Sequence, residues 1–372
     1  MKKKYIILSI ITLVLLIAFV TSFNYFKTSN TYVENNSNNQ TKITKGISMN
    51  LEQTAGAGDY KQVTQSNWPG DDYAFNAELS KCENGSTLSW DNTKNVVVFS
   101  GNVSDKCYVY FDIAKPTLVE YIISQYTGTQ GDNALYYHNS TLTNSAGDNS
   151  YRYAGASDSV NNYICLGSDK ATCPDANLFR IIGVFGDQTK VIRAKSVGDK
   201  QWHTSPNNTW SSSSLNTYLN GEYLTSLGTL ANKIATTTWK VGGGSSTNLY
   251  DVPKTAYQYE VGSSASATTN DAKIGLMYVS DYGYAADQSA WTTKLSYYNS
   301  NTSKNWLYLG SSEWTISRGS AYTTIASYVT STGYVSYDNV TIGFGVRPSF
   351  NLESSVKYVS GSGSMSDPVR IN

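Results

Sequence analysis

Behind Lys2-Lys3-Lys4 the chain runs for 22 residues, Tyr5 to Phe26, without a single charge. A helix rises about 1.5 Å per residue, so roughly 20 apolar residues cross a hydrocarbon core of about 30 Å, and this run is long enough to do so. With the basic cluster on its N-terminal flank, the positive-inside bias predicts that residues 27–372 lie beyond a cell membrane. Residues 1–26 are read as a transmembrane anchor meeting the lipid bilayer through residues 5–26, in preference to a cleaved signal peptide, whose apolar core spans only about 7–15 residues. Cleavage near Val20-Thr21-Ser22 is the alternative and would release a secreted protein. A prepilin leader is set aside, because the run has neither a Gly-Phe-Thr start nor an acidic residue five places into the helix.

Composition narrows what the remainder does. The 28 basic and 28 acidic residues cancel and only 15% of the chain is charged, so no positive field is available to hold DNA or RNA, and nucleic acid is excluded as a partner. Thirty Tyr, eight Trp and long Ser, Thr, Asn and Gly tracts favour strands and turns over helical bundles. The length beyond the anchor exceeds one typical domain, and two are expected. All four cysteines follow the anchor, and an even count in an exported chain points to disulfides. Of the three possible connectivities the local one is chosen, Cys82–Cys107 and Cys165–Cys173. No CxxC spacing supports zinc.

From Lys27 to Lys45 the chain is polar with almost no aliphatic residues, so residues 27–45 read as a disordered stalk. Residues 46–114 read as a small β domain, with strands at Ile47–Leu51, Tyr60–Val63, Thr87–Asp91, Asn95–Phe99 and Tyr108–Phe111. Lys115-Pro116 breaks the chain, and residues 115–372 form a second, α+β domain. There Thr117 is placed to cap a helix through Leu118, Ile122 and Tyr126. Gly186-Asp187-Gln188-Thr189 joins Phe179–Phe185 to Lys190–Lys195 as a hairpin, and Ser211–Ser214 cap a helix carrying Leu215, Leu219 and Tyr223. Strand-like pieces follow at Thr236–Val241, Lys273–Val279, Asn305–Leu309, Trp314–Ser317 and Thr341–Leu352.

Five ordered motifs then become recognisable: Asn177-Leu178-Phe179-Arg180-Ile181-Ile182-Gly183-Val184-Phe185, Ser213 to Asn220, Ile274 to Ala285, Asn305-Trp306-Leu307, and Gly345-Val346-Arg347-Pro348-Ser349-Phe350-Asn351-Leu352. Together they resemble a bacterial family of exported domains of unknown function, common in low-GC Gram-positive bacteria, that ends in a Gly-Val-Arg-Pro strand. The resemblance covers residues 177–372. The stretch Cys82 to Ser86 followed by Cys107 to Asp112 resembles the small module often placed before that domain. By fold-level analogy the resemblance implies a C-type-lectin-like domain, similar to the formylglycine-generating-enzyme branch, and no activity by itself. That branch's late cysteine pair is absent, since no cysteine follows Cys173. Relatives also often carry extra cysteines around Trp291 to Trp306, which this chain lacks.

No catalytic set emerges. His138 and His203 stand in no metal-binding spacing, Gly242 to Ser246 lacks the lysine and helix of a phosphate loop, and Asp281 and Asp287 have no dense calcium-type loop around them. No cofactor or metal is expected. Aromatics are abundant enough to suggest a binding face. Trp239, Trp306 and Trp314 sit in strand-like runs and read as core, whereas Trp202, Trp210 and Trp291, with Tyr282, Tyr284 and Arg347, are the candidate ligand-binding residues. The expected function is a membrane-anchored, extracytoplasmic, non-catalytic recognition module binding glycan or protein. The alternatives are an extracytoplasmic hydrolase using acids such as Glu260, Asp281 and Glu313, and an envelope structural protein.

Overall fold

A computed structural model describes residues 33–34 and 46–372, apart from 55, 65–67, 71, 92 and 103. They divide into two compact units at Lys115/Pro116. The expected fold class needs correction. What is present is a β-rich α+β protein with two disulfides. Among the described residues no helix is long and apolar enough to cross a membrane, and the segment expected to do so, Tyr5–Phe26, lies outside them. The stalk, residues 27–45, also lies outside apart from Val33–Glu34. That dipeptide is not free chain: it pairs in parallel with Val98 and Phe99 at the edge of a small sheet.

The first unit is built on Cys107–Ile113, whose alternating burial marks one face against a core and one outward. Ile47–Glu52 runs parallel to it, Tyr73–Phe75 and Lys81–Cys82 run antiparallel, and Tyr60–Val63 closes the far edge. A hairpin of Thr87–Asp91 and Val96–Ser100 forms the second sheet with Val33–Glu34. Its core is aromatic, with Phe111 meeting Trp68, Phe75 and Trp90 at ring centroids 5.4–5.9 Å apart. The expected turn near Asn92 falls partly outside the described residues.

Cys82 and Cys107 face each other directly across paired strands and are joined. This unit is small, and a bridge closing a loop of 25 residues removes denatured-state entropy that the unit's limited core does not otherwise offset. Replacing both cysteines with serine is expected to cost roughly 3 kcal/mol, read as faster amide exchange across Ile47–Ile113. Cys165–Cys173 is also joined, over a separation of 8. There Arg370 independently holds the loop, donating to the carbonyls of Ser168 and Ala171 at 3.0 Å. Losing that bridge should therefore cost less.

The second unit centres on a nine-stranded sheet. Its main path runs Ile274–Gly275, Ser349–Leu352, Gln188–Arg193, Leu178–Phe185, Tyr163–Cys165, Val369–Ile371, Tyr358–Ser360, with Tyr151–Tyr153 and Leu135–Tyr137 added beyond the end of Leu178–Phe185. Two-residue turn Gly186-Asp187 joins the central hairpin, with Gly186 at φ +62°, a conformation that side chains with a Cβ rarely adopt. A five-stranded sheet follows, ordered Asp199–Gln201, Gly343–Gly345, Glu313–Arg318, Ile325–Val329, Val335–Asn339, and Thr237–Lys240 pairs with Thr269–Ala272. Thr117 and Glu120 form a reciprocal cap on the helix Leu118–Ser124. Ser213 caps Ser214–Tyr218 through the amide of Asn216.

Three strand expectations are corrected. Asn305–Leu309 is a turn that makes a single bridge from Asn305 to Ala286. Lys273–Val279 is strand only at Ile274–Gly275, because Val279 already opens the helix Val279–Tyr284. Thr341–Leu352 breaks into Gly343–Gly345 and Ser349–Leu352 around Pro348, which supplies no amide to a ladder.

Candidate functional site

Strand register brings the first chemistry together. Arg152 lies opposite Gly183, Gly183 opposite Lys190, and Lys190 opposite Asn351, so these residues form one row across four strands on one sheet face. Gly183 is required in that row: a Cβ there would sit 2.1 Å from the Tyr151 carbonyl oxygen. Above the row stands the start of the helix Val279–Tyr284, where Asp281 accepts from the Tyr278 amide at 2.8 Å.

Asp281 is where the row and the helix meet. Its Oδ2 accepts from Lys190 Nζ at 2.5 Å, and its Oδ1 lies 3.9 Å from Arg152 Nη1. Arg152 Nη2 in turn holds Asp148 Oδ2 at 2.6 Å, while Arg152 Nε and Asp148 Oδ1 share the Ser150 hydroxyl. The result is an alternating chain, Lys190–Asp281–Arg152–Asp148, in which the first three residues are at most 5% exposed. Aromatic rings wall it. Lys190 Nζ stands 4.6 Å over Tyr278 and 5.4 Å over Trp239, and the Arg152 guanidinium lies 4.7–5.2 Å from Phe185, Tyr284 and Tyr257.

Charge on these groups follows from burial and partners. Burial pulls the Lys190 pKa below its usual value, with Asp281 only partly opposing it. For Arg152 burial also opposes the charge, but Asp148 and Asp281 outweigh it and raise the pKa. Burial alone would raise Asp148; Arg152 and the Ser150 hydrogen bonds instead bring it down to about 2. Between these groups opens a cavity of about 150 Å³, lined by Asp148, Arg152, Lys190, Trp239, Tyr257, Tyr278, Asp281 and Asn351 among others. Asn351 donates to Thr237 at 3.0 Å, yet its buried Oδ1 has no hydrogen-bond partner among the described residues.

The residues proposed from sequence lie mostly elsewhere. Trp202, Trp210, Tyr282, Tyr284, Trp291 and Arg347 are all at most 2% exposed, which corrects their reading as a surface binding face. Trp202 donates to Thr315 and packs edge-on against Trp210, Tyr282 donates to Gly333, and Trp291 donates to Ala286. Trp202, Tyr282 and Trp291 thus satisfy their polar tips on backbone, as buried aromatics usually do, whereas Trp210 Nε1 finds no acceptor among the described residues. Only Tyr284 touches the cavity's chain, from behind Arg152. Arg347 is bound at both ends by Glu313, 2.6 Å each, with the Leu307 carbonyl as a third partner. Of the acids considered for hydrolysis, Glu313 is therefore neutralised by Arg347. Glu260 is buried against Ser317 and the amides of Val279 and Ser280, so only Asp281 lines the cavity.

Sequence reasoning missed Asp148, Arg152, Lys190, Tyr257 and Tyr278. One signal was available: Lys190 directly precedes the apolar pair Val191-Ile192 in a strand read from sequence, and a buried lysine requires a partner.

His138 supports the loop that carries Asp148. It is fully buried between Tyr284 and Trp291, and its Nδ1 accepts from the Ala146 amide at 3.2 Å. Burial, with Arg152 adding to it, holds its pKa well below 6.5. The folded state then refuses a proton that the unfolded chain takes up, so stability is complete above about pH 6.5 and falls as pH drops below it, by about 1.4 kcal/mol per pH unit. His138→Asn keeps an acceptor near the same place without titrating. Chemical denaturation from pH 7.5 to 5 should show the wild-type decline and its loss in the variant; equal slopes would remove His138 as the cause.

A family described as a domain of unknown function, DUF6273, matches residues 186–354. The match includes Lys190, Trp239, Tyr257, Tyr278, Asp281 and Asn351, while Asp148 and Arg152 precede it. No curated protein and no solved structure matches the chain.

Proposed function

We propose that this protein is a non-catalytic recognition module of the bacterial cell surface, and that the cavity over Lys190 and Asp281 binds one residue of a neutral glycan. The observation that carries this reading is a buried charge chain that is already neutral within itself, opening onto an aromatic-walled cavity. Two cations meet two carboxylates. Little charge is left over to draw in an ion. A hydroxyl-rich ring suits such a wall: its hydroxyls donate to carboxylates and to Asn351 Oδ1, and accept from Lys190, while its apolar face lies on aromatic carbon. A volume of 150 Å³ is the share of about five waters, enough for a single small ring and too little for a peptide chain. The two disulfides support placement in an oxidising compartment.

Hydrolysis is disfavoured by the acids themselves. A glycosidase needs one carboxyl held protonated beside one held ionised. The two in this cavity share Arg152, and Asp148 stays ionised down to about pH 2.

A glycan array probed with the whole chain tests the reading. Binding is expected to be confined to one sugar class and to weaken at least tenfold in Tyr257→Ala, a half-buried cavity wall residue that carries none of the chain's charges. An array blank across all classes would favour the envelope structural alternative, and release of free sugar would favour the hydrolase.

A further inference from the structure

Beyond the cavity, the end of the strand Gln188–Arg193 borders a second hollow, of about 450 Å³, whose other wall is the helical stretch 214–226. That stretch is not a regular helix. Between Ser214–Tyr218 and Leu224–Ser226 it widens into a π turn, Leu219–Tyr223, a rare geometry that is frequent at functional sites. Tyr223, the last residue of the turn, is 5% exposed and lines the hollow; its hydroxyl meets the Arg193 side chain, itself a donor, and finds no acceptor among the described residues. Arg193 lines the same hollow, and its buried Nε also has none. The two groups lie close enough for Arg193 to pull the Tyr223 pKa down, but burial prevails and pushes it up to about 12, so the hydroxyl keeps its proton. Nearby, Lys200 Nζ sits 3.8 Å over the face of Tyr218, another lining residue. Two cations therefore flank the hollow against one lining acid, Glu222.

Two buried donors without acceptors, converging on one opening, constitute an unmet demand for an acceptor-only group. We propose that this hollow is a second ligand site, distinct from the glycan cavity, and that it binds a carboxylate between Arg193 and Tyr223. Arginine suits the planar, two-oxygen geometry of a carboxylate, and hydrogen bonds to an ionised acceptor are about twice as strong as neutral ones. The site does not depend on the glycan reading, since it shares no lining residue with that cavity.

Titrating the whole protein with acetate, and separately with inorganic phosphate, while following the Arg193 Nε and Tyr223 signals by NMR tests the assignment. Saturable shifts with acetate are expected, weakened more than tenfold by Arg193→Gln and at least threefold by Tyr223→Phe. Without ligand, Tyr223→Phe should leave the melting temperature unchanged or raised, because it removes a buried hydroxyl that has no acceptor among the described residues; a lowered melting temperature would instead show a structural hydroxyl and overturn the proposal. Failure to saturate, affinity unchanged in Tyr223→Phe, or tighter binding of phosphate than acetate would each overturn it as well. Should Arg193→Gln fail to fold, Tyr223→Phe still decides the question.

Discussion

Glu313→Gln is expected to lower the stability of the second unit by about 3–5 kcal/mol, the cost of leaving a buried charge without its partner. Both side chains of the Glu313–Arg347 pair are 1% exposed, and both carboxylate oxygens are held at 2.6 Å. Burial raises the Glu313 pKa and Arg347 opposes that rise, while the guanidinium stays charged whether or not its partner is present. The amide keeps the shape and one acceptor oxygen but removes the charge and turns an NH2 donor toward an Arg347 donor, so the guanidinium keeps only neutral partners, that oxygen and the Leu307 carbonyl. Urea unfolding followed by tryptophan fluorescence suits the measurement, since six of the eight tryptophans lie between Trp202 and Trp314. The double change Glu313→Leu with Arg347→Met should recover much of the loss, because replacing a whole buried pair by apolar groups is often neutral or stabilising. A single variant as stable as wild type would mean that water reaches Arg347.

The same pair shows what could be read from sequence and what could not. Arg347 was visible in sequence as a lone cation beside Pro348, but nothing local showed that it is buried or named Glu313, 34 residues away, as its partner. Local signals carried far: the Thr117 cap, the Gly186-Asp187 hairpin and the Ser213 cap each depend on neighbours within a few residues, the range over which turn and cap chemistry acts. The candidate site depends on the opposite. Arg152, Lys190 and Asn351 become neighbours only through strand register across residues widely separated in sequence, and register is set by the whole sheet. The abundance of tryptophan was legible, while its placement was not. In a loop-rich unit with short strands, large rings fill the interior and find backbone acceptors, so polar sequence surroundings did not mean an exposed ring.

Asp281→Asn should have an effect of similar size, with a different dependence on pH. Asparagine retains an acceptor for the Tyr278 amide and thus the start of the helix Val279–Tyr284. What disappears is the negative charge between Lys190 and Arg152. Arg152 keeps Asp148, whereas Lys190 loses the only ion-pair partner it has among the described residues, in a site where burial already lowers its pKa. In the variant that pKa falls further. Folding at pH 7 must then either bury an unpaired ammonium or expel its proton, at a cost of about 3–5 kcal/mol. A lysine whose folded pKa lies below its unfolded value of about 10.4 destabilises increasingly as pH falls below that value, and the penalty shrinks as pH rises towards it. Asp281→Asn should therefore regain stability between pH 7 and 10 relative to wild type, and adding Lys190→Met should abolish that dependence. Glycan binding should be lost in both variants, because each removes a polar group of the cavity. If Asp281→Asn tracked wild type at every pH and still bound, the alternating chain would be packing alone, and the cavity would have no claim to recognition.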